Sequence, residues 1–313
     1  MRSWRQPSDK TEMLTSLLWI PATLTAAAAQ TARNAMQRHL TATLGTVGAT
    51  QVRFLYGLPF GLLFLGAVLL FTGASIPEMT TRSITFTIIG ALAQILATGL
   101  MLTAMRDRGF AVTTAYTKTE PVQVALFGLL VLGDTLTFNG ALGCVIATIG
   151  VGLMSWKPGA ASEAGSWKPA ALGILAGAFF AIAAVGFRGG ITNLADGTFL
   201  VRASTTLALG LTIQTAVLVA WMVLMDRPAL YTSLGAWRQS MFAGLMGAFA
   251  SQCWFIGFAL TSAANVRTLA IVEVIFAQAV SKQLFSQNTS RRENTGMALI
   301  IAGVAILLLG VFG

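Results

Sequence analysis

From Met13 to its end the sequence is a succession of apolar runs, each as long as the roughly 20 residues a helix needs to cross a bilayer core. That feature leaves few folds open. Backbone polar groups in hydrocarbon must be satisfied within their own segment or in a closed barrel, so continuous apolar runs of this length mean helices. Ten spans are predicted, at 13–34, 47–72, 83–105, 110–132, 135–155, 170–191, 198–224, 239–261, 264–286 and 294–312. The turn chemistry fits these limits. Gly73 to Pro77 ends the second span, Trp156-Lys157-Pro158-Gly159 the fifth, and Asp226-Arg227-Pro228 the seventh. Residues 1–12 form a polar, basic tail. The run that follows, with alanines at 26–29, also fits a cleaved signal peptide. It has a counterpart later in the chain, however, and is read as the first span. The fold class expected is an all-α membrane protein.

Composition agrees. Only 10% of residues are charged, against about 25% in a soluble domain. The 32 glycines suit membrane helices whose backbones approach closely. A net charge of +9 in a soluble chain would suggest nucleic acid. Here no soluble stretch is long enough to form a nucleic-acid-binding domain, and Lys and Arg in short loops set orientation instead. Nine of them follow odd-numbered spans and four lie on the other side, which would put both termini outside. Cys144 and Cys253 sit in apolar runs as small buried hydrophobes. The single histidine, His39, falls in an expected loop and offers little for triad or metal chemistry.

The chain divides at residues 156–169, a Gly-, Ala- and Ser-rich linker, into halves 13–155 and 170–313. The halves are related. A shift of 153 residues carries Glu120 to Glu273, Gly143 to Gly296 and Gly150 to Gly303 without a gap. Arg33 matches Arg188, and Val52-Arg53 matches Val201-Arg202. Charged residues landing on charged residues argue against a chance alignment of apolar helices. Five spans per copy is an odd number, so tandem copies must lie inverted in the membrane, an arrangement common in secondary transporters.

Residues 119–151 carry a family resemblance. Glu120-Pro121, a helix of small residues, the Gly133-Asp134 turn and the glycine-punctuated last span resemble the EamA domain of the drug/metabolite transporter superfamily. The second half is similar but departs where Val274 follows Glu273 and where Gln287 replaces the turn acid. The resemblance implies a ten-helix carrier of small organic metabolites with no cofactor and no ATP-binding domain. No Walker motif is present in the sequence.

Charged groups cost about 2.5–3.5 kcal/mol each at the centre of a membrane helix and are functional candidates by default. Nine lie within the expected spans: Arg33, Arg53, Lys118, Glu120, Arg188, Arg202, Arg267, Glu273 and Lys282, a formal excess of five positive charges. Glu120 and Glu273 lie deepest. Thr113, Tyr116, Glu120 and Gln123 recur at helical spacing as one polar stripe, expected to face a central cavity. Lys118, two residues from Glu120, should point to another face. The two acids suit a site for a proton or a substrate amine, since a carboxyl in a dry site can exchange a proton with a transport cycle. Alternatively each forms a buried salt bridge, and Glu120 beside Pro121 suits a helix start. Arg53 and Arg202, each about one turn inside a span, are candidates for gripping anions with their planar forks. Arg33 and Arg188 are candidate gates, with snorkelling to the headgroups the plainer role. Tyr56, Tyr116 and Trp254 are candidate pocket aromatics; Gln94 and Gln252 suit substrate contact or helix ties; Trp19, Trp221 and Trp237 suit interfacial anchoring.

The positive interior points to an anionic or zwitterionic cargo, such as an amino acid, an organic acid or a vitamin like riboflavin. The alternatives are an exporter of lipophilic cations and a non-transporting membrane receptor. An enzyme would need a nucleophile with a positioned base or a metal cluster, and the sequence supplies neither. The expected partners are a small-molecule substrate and the lipid bilayer of a bacterial inner membrane. A homodimer is compatible with such a fold; nucleic acid is not expected.

Overall fold

The computed structural model describes residues 15–108, 117–155, 168–275 and 290–312, and among them there are helices and no strands. The principal helices are α1 (Trp19–Leu55), α2 (Leu58–Thr72), α3 (Thr81–Arg108), α4 (Glu120–Leu132), α5 (Phe138–Ser155), α6 (Lys168–Thr192), α7 (Phe199–Met225), α8 (Arg227–Gly235), α9 (Trp237–Leu260), α10 (Ala263–Leu269) and α11 (Arg291–Phe312). The tail 1–12, the linker from 156 to 167, and Thr113, Tyr116, Gln278, Lys282 and Gln287 lie outside the described residues, as does the side chain of His39.

Two expectations change. The loop expected between spans one and two is helical. Helix α1 runs through it and breaks only at Gly45, where φ is 69° and ψ −178°. Glycine takes that conformation without a Cβ penalty, and Gln37 Nε2 donates to the Ala49 carbonyl across the break at 2.9 Å. Asp226-Arg227-Pro228 ends the seventh span, as expected, but the loop expected after it is helical and Asp226 caps the start of α8. Asp226 accepts from the Ala229 amide at 3.1 Å, and Pro228 sits in the first turn, where no amide donor is required.

Among the described residues six apolar helical stretches are long enough to cross a membrane: Leu44–Thr72, Thr81–Ala104, Ala171–Thr192, Phe199–Met225, Trp237–Leu260 and Arg291–Gly310. Two shorter apolar helices, Glu120–Leu132 and Phe138–Leu153, accompany them. The first arm of α1 is as long but carries Gln30, Arg33, Asn34 and Gln37 at helical spacing. The surface is inverted relative to a soluble protein. Phe71 is 91% and Leu70 85% exposed, whereas Arg33, Arg53, Glu120, Arg267 and Glu273 are all buried. Apolar outside with charge inside is the arrangement a bilayer selects. Trp19, expected at the membrane interface, is instead 1% exposed within the core; Trp221 and Trp237 are exposed. Both cysteines are buried and free.

The most extensive packing joins α3 to α6, α5 to α11 and α1 to α9, with α2 on α7 and α4 on α10. Helices α5 and α11 cross on glycine. A Cβ on Gly143 would lie 2.5 Å from the Gly303 carbonyl oxygen, and one on Gly150 2.7 Å from that of Gly296. Close backbone approach of this kind supplies dispersion contact where lipid offers no hydrophobic gain.

Candidate functional site

The site begins with two interruptions. The chain makes a turn at 118–119 before α4 and another at 270–271 after α10. At the second, Ile271, Glu273 and Val274 donate to carbonyls three residues back rather than four. Glu120 is the first residue of α4 and Glu273 follows the second turn. Interrupted helices of this type expose backbone and side chains to a cavity at membrane depth.

The acids pair across the chain. Lys118 Nζ lies 3.0 Å from Glu273 Oε2, and Arg267 Nε lies 3.1 Å from Glu120 Oε1. The first pair is a hydrogen bond; the second is an ion-pair contact whose atoms are not aligned as one. Glu273 also accepts from Gln30 Nε2 at 3.0 Å and from Asn34 Nδ2 at 3.3 Å. Trp254 Nε1 donates to Gln30 Oε1 at 3.1 Å and so extends the network. Arg267 lies over the ring of Trp254, 4.8 Å from its centroid, and over Phe258 at 5.5 Å.

These groups line a cavity of about 70 Å³ together with Arg33, Arg53, Gln94 and Phe180. At about 10–15 Å³ per water, that is room for a few small groups. The Glu120–Arg267 and Lys118–Glu273 pairs both border it. Lys118 does not follow the helical angle expected from Glu120, because residues 118–119 form a turn. Both residues therefore reach the same cavity.

The arginines divide unevenly. Arg53 lies in the second arm of α1, buried and lining the cavity, with Nη1 donating to Thr98 Oγ1 at 3.1 Å. Its sequence counterpart Arg202 is not a cavity residue. It lies three positions into α7 and curls back so that Nε donates to the Asp196 carbonyl at 3.1 Å. A long side chain near the end of a membrane span can reach the surface; Arg53, though in the last turn of α1, lies within the Leu44–Thr72 span and is buried. Arg33 likewise lines the cavity, whereas Arg188 does not. Arg188 grips the Asp134 carboxylate through Nε and Nη2, the latter at 2.9 Å, and donates from Nη1 to the carbonyls of Phe258, at 2.7 Å, and Thr261. This cluster ties the end of α6 to the α4–α5 turn and the end of α9. Gly133, with φ of 70°, caps α4 and turns the chain into Asp134.

Of the remaining candidates, Trp254 and Gln94 line the cavity, and Gln94 Oε1 accepts from Gln214 at 2.8 Å. Gln123 donates to Thr119 one turn back, and Gln252 donates to Ser204 and so ties α9 to α7. Tyr56 donates to the carbonyls of Ser233 and Leu234 on α8, away from the cavity. Gln30 and Asn34 also line the site, although neither is among the residues singled out from the sequence. Their signal was present: Gln30, Arg33, Asn34 and Gln37 form an i, i+3, i+4, i+7 stripe on an otherwise apolar helix. Among the described residues no group of His, Cys, Asp and Glu could hold a metal ion.

Residues 17–156 match the EamA-like transporter family. A crystal structure, described only as that of a protein, superposes with a TM-score of 0.68 at 15% identity, covering 95% of this chain and 96% of the other. At that identity the likeness speaks for the fold alone, and it extends over both halves. Comparison with curated proteins yields no match.

Proposed function

We infer that this chain, whose residues 17–156 match the EamA-like transporter family, is a secondary transporter moving a small anionic or zwitterionic metabolite by alternating access. It is an integral multi-pass membrane protein. We read it as ten helices in two inverted five-helix repeats, in a bacterial inner membrane, where helical bundles rather than β-barrels reside. In this reading it is not an enzyme and needs no cofactor. The pairing of helices supports the repeat. The Gly143–Gly303 and Gly150–Gly296 approaches exchange into one another under the 153-residue shift that relates the halves.

The observation that carries the transport reading is the cross-pairing of the two acids. Each is held by a base from the other half, Glu120 by Arg267 and Glu273 by Lys118. These ties cross the cavity wall, so a substrate that competes for them also loosens one half from the other. Binding and conformational change then draw on the same interactions, as differential affinity for two states requires. Arg188 and Asp134 hold one end of the bundle shut, and access is from the other end. A proton or substrate gradient supplies the energy.

A thermal-shift screen of the purified protein in detergent tests this, followed by uptake into vesicles. A ligand at 100 times its dissociation constant adds about 2.7 kcal/mol. Stabilisation by anionic or zwitterionic metabolites, with uptake abolished in Glu273→Gln, is the expected result. Stabilisation by lipophilic cations alone would overturn the substrate reading, and tight binding without uptake would make the protein a receptor.

A further inference from the structure

We propose that the cavity takes a doubly charged oxyanion, a dicarboxylate or a phosphate monoester, held between Arg33 and Arg53. The inference rests on the transport reading for its setting but concerns what the site binds, whether or not the ligand crosses.

Charge balance comes first. Among the described residues lining the cavity, Arg33, Arg53, Lys118 and Arg267 face Glu120 and Glu273. Lys118 and Arg267 are taken up by the two carboxylates. Two guanidinium groups, and two formal positive charges, are left over. A zwitterion leaves that excess unchanged, a monoanion halves it and a dianion removes it. In a poorly solvated interior an uncompensated charge is expensive, so the site discriminates by charge number.

Hydrogen bonding comes second. Arg33 is 3% exposed, yet its Nε and Nη1 have no hydrogen-bond partner among the described residues. Only Nη2 is engaged, donating to Asn34 Oδ1 at 2.7 Å. Arg53 is 6% exposed and among the described residues its guanidinium hydrogen-bonds Thr98 alone. A guanidinium carries five donors and no acceptor, so both groups hold donors in reserve for an oxygen-rich ligand. Arg188, by contrast, is engaged through all three of its nitrogens by Asp134 and two carbonyls.

Placement comes third. Arg33 and Arg53 lie on opposite sides of the Gly45 break in α1, which folds the two arms toward one another. Both aliphatic stems then run over Gly247 of α9. A Cβ there would lie 3.3 Å from Arg33 Cδ and 3.7 Å from Arg53 Cγ. Helix α9 thus offers a bare backbone patch on which two like charges are kept close together, and an anion between them relieves their repulsion. Gly247 is a positioning residue for the pair.

The test is calorimetric titration of the full-length protein in detergent at pH 8, where a phosphate monoester is doubly ionised. The probes are succinate, glycerol 3-phosphate, lactate and alanine. At least one dianion should bind ~10-fold or more tightly than lactate or alanine, about 1.4 kcal/mol. Succinate alone would mark a dicarboxylate site; glycerol 3-phosphate alone would mark a phosphate site. Arg33→Gln and Arg53→Gln should each erase the preference. Gly247→Ala should weaken dianion binding with every charge retained, while Arg33→Lys should restore part of what Arg33→Gln loses. Size-exclusion profiles and thermal unfolding show that each variant is folded. Equal binding of lactate or alanine, no binding of either dianion, or a preference that survives both glutamine variants would overturn the proposal. Dianion binding without vesicle uptake would uphold it and sink the transport reading. Uptake of alanine with no dianion preference would do the reverse.

Discussion

Replacing Glu273 with glutamine should be among the most costly single changes in the cavity. Its carboxylate accepts from Lys118 and Gln30 at 3.0 Å each and from Asn34 at 3.3 Å. The Lys118 and Glu273 side chains are 15% and 11% exposed, so water screens the pair little. Removing one partner of a buried pair costs about 3–5 kcal/mol, because the other charge stays buried without compensation. Glu273→Gln strands the Lys118 ammonium and should fall in that range. Lys118→Met leaves a carboxylate still solvated by two side-chain amides, and should cost about 1–3 kcal/mol. The double variant removes both charges, so its loss should be smaller than the sum of the single losses by about 1–3 kcal/mol. The assay is unfolding of all four proteins in one detergent, read as a double-mutant cycle. A coupling below about 0.5 kcal/mol would mean the two groups act independently. The cross-tie between the halves, and the mechanism built on it, would then fail.

Gly143→Val would place atoms within 2.5 Å of the Gly303 carbonyl oxygen and 2.9 Å of the Leu307 amide. Both are backbone, so the helices must part, at about 1–3 kcal/mol of stability, read from thermal unfolding. Asp134→Asn removes the carboxylate that neutralises Arg188. It should speed maleimide labelling of a cysteine introduced at Thr261, whose carbonyl the same guanidinium holds; unchanged labelling would mean the cluster is not a closure. Arg202→Gln should leave ligand affinity as it is, while Arg53→Gln lowers it, since only Arg53 lines the cavity; equal effects in titration would refute the assignment.

The contrast between Arg53 and Arg202 shows where sequence reasoning stops. In the sequence they are equivalents, each preceded by valine and each about a turn inside an apolar run. Their difference arises from what precedes them. Arg53 lies inside the Leu44–Thr72 span, with apolar helix on both sides of it, whereas the helix bearing Arg202 has just begun at Phe199. A pattern of residue types does not register depth along a helix whose start is set by a glycine break or a threonine cap. Gln30 and Asn34 illustrate the opposite case. Their spacing with Arg33 is legible as a polar stripe on an apolar helix, because that periodicity needs no knowledge of the neighbouring helices.

What the sequence by itself determined is the solvent. Apolar runs of bilayer length with few charges admit a helical membrane protein and little else, because hydrocarbon leaves no other partner for the backbone. It also marked which residues are costly to bury, and hence the chemistry of the interior. Only the tertiary structure decided which of those charges meet. Lys118 with Glu273 and Arg267 with Glu120 are separated by well over a hundred residues, and helical periodicity places a residue on a face without saying which helix that face will meet. The same applies to Arg33 and Arg53, whose stems meet only over Gly247, and to the Arg33 donors left without a partner there. Pairing is a property of packed surfaces, settled by glycine contacts and broken helices acting across the whole bundle.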